Sequence, residues 1–60
     1  MTIKEIPFGS FFRWTEDESN AIYIKSDYCG PQFLCVELHS GQIDWVPKDC
    51  INCEIVDKPF

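Results

Sequence analysis

Two apolar runs, Phe33-Leu-Cys-Val-Glu-Leu38 and Ile43-Asp-Trp-Val46, flank a short polar segment containing Ser40-Gly41. Alternating side chains on both sides of a glycine that tolerates positive φ predict a β-hairpin over residues 33–47. No stretch sustains an apolar period of 3.6, so helices contribute little and the chain is expected to be all-β. Sixty residues allow one domain, 1–60, with one small core. A chain of this size buries only about 60% of the surface it exposes when unfolded.

Three further strands complete the pattern. Ser10-Phe-Phe-Arg-Trp14 and Ala21-Ile-Tyr-Ile-Lys25 predict the first two strands, separated by the polar loop 15–20. A second loop spans 26–32, with Gly30-Pro31 as its turn. Strands are then expected over 33–39, 42–46 and 51–55. Pro47 cannot donate to a ladder, so residues 47–50 predict a single 3₁₀ turn before the last strand, and 57–60 form a tail. The expected architecture is a small five-stranded SH3-like barrel. Period-two alternation places Phe12, Ile22, Ile24, Leu34, Val36 and Leu38 inward, with Trp14 at the margin. Tyr23, Lys25, Phe33, Cys35 and Glu37 then face outward. A two-residue loop at Ser40-Gly41 sets Glu37 opposite Asp44 as an exposed acid pair and turns Trp45 into the core. A one-residue slip turns Trp45 outward and makes it the strongest binding anchor in the chain.

Ten Asp and Glu stand against five Lys and Arg, for a net charge of −5. Such a balance argues against direct nucleic-acid binding, where affinity comes from cations on phosphates, and suits a partner with a basic surface. No apolar run approaches the roughly 20 residues that cross a bilayer. The first residues, Met-Thr-Ile-Lys-Glu-Ile-Pro, lack the apolar core of a secretory signal, so a cytoplasmic location is expected, with no membrane contact.

Candidate chemistry is sparse. Cys50-Ile-Asn-Cys53 has the spacing of zinc knuckles and redox pairs, and Cys29 and Cys35 complete a set of four. The wide Cys29–Cys35 spacing and the apolar alternation around Cys53 instead predict reduced structural thiols and no metal or cofactor. The lone His39 has no nucleophile and orienting carboxylate arranged around it, so no catalytic residue is assigned and no enzyme is expected. The expected protein-binding surface combines the loop acids Glu16, Asp17 and Glu18, the strand acids Glu37 and Asp44, and the aromatics Tyr23, Tyr28 and Phe33. Aromatics beside acids suit docking of a basic or Pro-rich segment.

The segment Ile6-Pro-Phe-Gly-Ser-Phe-Phe-Arg-Trp14 resembles the Leu-Pro-x-Gly-x-x-Phe opening of small uncharacterised phage and bacterial proteins. Tyr23-Ile24-Lys25, the turn Leu38-His-Ser-Gly-Gln42 and the final segment from Pro47 to Ile55 are similar to their later motifs. The resemblance implies an SH3-like barrel and a phage or mobile-element accessory protein acting in the host cytoplasm. The expected function is non-enzymatic docking on a basic surface of a host protein. Inhibition of a bacterial defence system, as by anti-CRISPR proteins, is one form of it. The alternatives are an assembly module that forms a homo-oligomer and a small zinc- or thiol-dependent protein.

Overall fold

A computed structural model of the chain, described over residues 1–57, contains one antiparallel sheet of five strands. The strands are β1 (Phe11–Trp14), β2 (Tyr23–Cys29), β3 (Gln32–Glu37), β4 (Ile43–Pro47) and β5 (Cys53–Ile55). Their spatial order is β4-β3-β2-β1-β5, so the last strand returns to lie beside the first. The all-β expectation holds. The sheet is not closed, however, because β4 and β5 remain its two edges. The tail expected at 57–60 falls, past Asp57, outside the described residues.

Local chemistry explains the turns. Gly30 has φ +61 and is followed by Pro31, whose ring fixes a negative φ. Positive then negative φ is the signature of a II′ hairpin turn, so β2 and β3 are joined by two residues only. The expected 26–32 loop is therefore mostly strand. Pro7 O accepts from Ser10 N (3.1 Å), and Gly9 at φ +85 supplies the third position of a type II turn. The 3₁₀ turn lies at the other end of the chain from where it was expected. It covers Ile3–Glu5, opened by Thr2, whose N–H and hydroxyl both donate to the Glu5 carboxylate. Before β5, residues 47–50 close instead as a simple turn through Cys50 N to Pro47 O (3.1 Å).

The core contains Ile3, Ile6, Phe12, Phe33, Cys35, Val46 and Cys53, with Trp14, Tyr23 and Cys50 packed against it. Phe12 stacks on Tyr23 at 5.7 Å and meets Trp14 edge-on at 5.5 Å. This corrects the expected faces of β2, β3 and β4. The register pairs Phe12 with Tyr23 and Lys25 with Cys35. Residues directly opposite in an antiparallel pair share a face. Once Phe12 points inward, Tyr23, Lys25, Cys35 and Phe33 follow it, while Ile24, Leu34 and Val36 go outside.

The buried polar member of that inner face is Lys25, 3% exposed. Its Nζ donates to Ile3 O (2.9 Å) and Ile6 O (2.5 Å), with a longer contact to Lys4 O (3.5 Å). The ammonium also lies 4.0 Å from the Phe33 ring centroid and 4.7 Å from that of Phe8. Its backbone is engaged as well: Gly9 N donates to Lys25 O, and Lys25 N donates to Ser10 O. At the chain's start, Met1 and Cys53 exchange two hydrogen bonds of 2.9 Å, and Ile3 N donates to Cys50 O (3.0 Å). The N-terminal segment thus lies along the β4–β5 connection and delivers Ile3 and Ile6 to the core.

Replacing Lys25 with Met keeps the stem but removes the buried donor to the Ile6 carbonyl and one of the two donors to the Ile3 carbonyl, which keeps Ile6 N. We predict a loss of about 1–3 kcal/mol, the penalty of an unmade buried hydrogen bond. Urea unfolding followed by tryptophan fluorescence reads it, and an unchanged midpoint refutes it.

A pH dependence follows from the thiols. Burial pushes Cys35 and Cys53 up to about 11 from an ordinary 9.0. Above pH 9 the unfolded chain releases protons that the folded chain keeps. The thiols' contribution is therefore complete below pH 9 and is lost as pH rises toward 11. Lys25, lowered by burial, acts in the opposite sense, because the folded state sheds its proton first. We predict a loss on the order of 2 kcal/mol per thiol by pH 11. Urea midpoints should fall across this range, and the fall should flatten in C35A/C53A.

Candidate functional site

The strand registers build an apolar stripe on the face away from the core. Phe11 stands opposite Ile24, Ile24 opposite Val36, Val36 opposite Ile43, and Leu34 opposite Trp45. The stripe crosses four strands and ends at β4, where Ile43 is 57% exposed and Trp45 51%. The expected inward Trp45 is thus corrected. The Ser40-Gly41 connection is longer than two residues, since Glu37 N donates to Gln42 O (2.9 Å) and Gly41 N donates to Glu37 O (2.8 Å). Relative to the expected pairing, β4 is shifted by two residues. That preserves which side chains travel together but not which side of the sheet is the inside.

The same ladder defines the free edge. With residues 37 and 42 as a bonded pair, alternation makes 35/44 and 33/46 bonded pairs too. The N–H and C=O of Ile43 and Trp45 then point away from β3, and Pro47 ends this edge without a donor.

The acids gather at one end of the sheet. Glu37 lies opposite Tyr23 in β2. The Tyr23 hydroxyl is raised by burial and, secondarily, by the charges of Asp44, Asp17 and Glu37. Three of the expected site acids therefore act electrostatically on one half-buried ring. Glu16 and Glu18 are exposed on the adjoining loop. Asp17 is a turn former: its carboxylate accepts from Ser19 N (2.9 Å) and Ser19 Oγ (2.7 Å), bonds that hold it below its ordinary value. Arg13 braces the loop through Asp17 O (3.2 Å) and Asn20 Oδ1 (3.3 Å) while pairing with Glu54. Between the two loops lies an open cleft of about 510 Å³, lined by Asn20, Ile22, Glu37, Leu38 and His39 among others.

The Glu37–Asp44 pair does not form as expected, because Asp44 stands opposite Cys35. Glu37 instead caps the hairpin loop, accepting from His39 N (2.6 Å), Ser40 N (3.0 Å) and Ser40 Oγ (2.9 Å). These bonds, the His39 N–H foremost, hold its carboxyl below the ordinary 4.5.

Two expected site aromatics belong elsewhere. Phe33 is core, and Tyr28 sits at the far end of the sheet, roughly 16 Å from Tyr23 by the rise of β2. A bulge explains its position. Register shifts between Lys25 and Asp27, so Ser26 is unpaired and Tyr28 falls opposite Phe33. Phe8, Lys4 and Lys48 join Tyr28 there, and none was singled out from sequence. Their only local signal was the turn chemistry at Pro7-Phe8-Gly9 and Pro47.

No protein-family model, curated protein or solved structure matches the chain. The resemblance to phage and bacterial proteins therefore rests on its own short motifs. All four cysteines are free thiols, and Cys35 and Cys53 are buried. Their raised pKa values make both poor nucleophiles at neutral pH. Among the described residues, no three His, Cys, Asp or Glu side chains converge as a metal site requires.

Glu37→Gln should speed hydrogen exchange at His39 and Ser40. Acidification should do the same in the wild type as pH falls below 4.5 and through the depressed Glu37 value. A depressed carboxyl stabilises only while ionised. Unchanged exchange at these two amides would show that the loop does not depend on the carboxylate.

Proposed function

We propose that the chain is an SH3-like, non-enzymatic protein-binding module whose contact surface is the outer face of β3 and β4, anchored on Trp45. The observation that carries this reading is the pair Ile43 and Trp45, both more than half exposed at the end of an apolar stripe. Tryptophan is enriched at binding hot spots because it covers a large area with few rotors to freeze. The β4 edge adds unpaired backbone groups, so an extended partner segment can join the sheet while its side chains cover the stripe. Net charge −5 and the Asp17, Glu37 and Asp44 grouping favour a basic partner. The strand order, with β5 beside β1, supports the SH3-like assignment.

Together with the opening motif, this supports a phage or mobile-element accessory protein in the host cytoplasm that covers a basic surface of a host protein. A defence nuclease is one such target, its phosphate-binding surface met by carboxylates. The competing reading is a homo-oligomer built through the same face, favoured by the uncovered β4 edge.

Affinity capture from host lysate with wild type and Trp45→Ala tests both. A basic partner is expected, weakened by salt and lost by about thirtyfold or more in the variant, the scale of a hot-spot truncation. Native mass measurement is expected to give a monomer. A partner retained by Trp45→Ala, or a dimer abolished by it, overturns the first reading.

A further inference from the structure

The end of the sheet opposite the acidic loops holds an open cleft of about 380 Å³, lined by Lys4, Phe8, Tyr28, Gly30, Phe33 and Lys48. Phe33 forms its floor. The Phe8 and Tyr28 centroids lie 5.9 and 6.0 Å from that of Phe33. Phe8 is 55% and Tyr28 60% exposed, and neither belongs to the core. Two large rings are thus held in place by a buried third ring, with open space between them and two lysines at the rim.

Charge decides what fits. Exposed aromatic faces ordinarily attract a cation. Here the Lys25 ammonium already lies 4.7 Å from the Phe8 centroid and 4.0 Å from that of Phe33. It draws on the electron density of those rings, and Lys4 and Lys48 repel a second cation. Asp27 does not line the cleft; its carboxylate accepts from Tyr28 N (2.7 Å). Asp49 does not line it either. The cleft therefore selects a ligand that is planar on one side and anionic on the other.

We propose that this cleft binds a nucleotide unit, its base against Tyr28 and Phe8 and its phosphate between Lys4 and Lys48. An acidic peptide offers charge without a planar face, and a duplex keeps its bases stacked. The net charge of −5 resists a long polyanion laid along the surface but not a single unit held at the basic end. Base stacking on aromatic side chains is sequence-tolerant, so no base preference is built in. The unit comes from one of two sources, a free mononucleotide or one position of a single strand.

The test is an amide NMR titration of the full chain with AMP, a short oligothymidylate, duplex DNA, adenosine, inorganic phosphate and an acidic peptide. Shifts centred on Phe8, Tyr28, Gly30 and Lys48 are expected with AMP or the single strand. Tyr28→Ala, at an exposed position, should weaken binding by about 5- to 150-fold, the range of one lost stacking contact. One phosphate neutralised by the two lysines predicts that strand affinity falls about 2.6-fold between roughly 50 and 200 mM salt, and less in Lys48→Gln. Equal affinity for AMP and the strand identifies the free nucleotide as ligand, while a tighter strand identifies single-stranded nucleic acid. The proposal is overturned by silence of the cleft amides at millimolar ligand or by full affinity in Tyr28→Ala. Equal binding of phosphate, adenosine, duplex or acidic peptide also overturns it.

Discussion

A lysine ammonium with no carboxylate partner among the described residues holds the N-terminal segment onto the sheet. Residues 1–10 contribute no strand, yet they supply Ile3 and Ile6 to the core. They are kept there by the Lys25 side chain, its own N–H and its own C=O. The arrangement suits lysine rather than arginine. Several carbonyls converge from one tight turn on a compact head with three donors, a geometry that a planar fork meets poorly. Peptide dipoles and two ring faces spread the charge without introducing a second ion. The desolvation that remains appears as a lowered Lys25 pKa. Because the same ammonium lies against Phe8 and Phe33, the interaction that closes the core also shapes the basic cleft.

Strand existence was legible in the sequence, and strand faces were not. All five segments marked by alternation are strands, and Gly30-Pro31 is a turn. Alternation divides a strand into two faces without saying which is the interior. In β2, β3 and β4 the more apolar set, Ile24, Leu34, Val36, Ile43 and Trp45, is outside. The deciding fact is the pairing of Phe12 with Tyr23, set by the length and bracing of the 15–22 connection. Arg13, Asp17 and Asn20 lock that connection, and no local propensity reveals such a lock. The bulge at Ser26 is equally silent, and it alone moves Tyr28 to the face of Phe33.

The acidic half of the candidate surface was legible because Glu16, Asp17 and Glu18 are contiguous. The basic half was not, because Lys4, Phe8, Tyr28 and Lys48 meet only after the N-terminal segment crosses the sheet. The resulting chain is bipolar, with carboxylates around Tyr23 and lysines around Phe33. Overall acidity conceals that separation, and inferences from net charge alone apply to only one end of the molecule.

The β4 edge discriminates between self-association and a foreign partner. Consider two copies paired antiparallel through all four outward backbone groups of Ile43 and Trp45. The two-fold axis then falls at Asp44, and Ile43 of each copy sits beside Trp45 of the other on the outer face. That apolar contact is favourable, but the same register sets the two Asp44 carboxylates directly opposite each other on the inner face. Like charges in that position are destabilising. Half-buried Asp44 lies beside the core, where solvent screens the repulsion least. A foreign strand that presents lysine or arginine there converts the repulsion into attraction and still covers Trp45. An inward-facing charge on an edge strand is a familiar guard against self-pairing. In this chain the guard also selects for a basic segment.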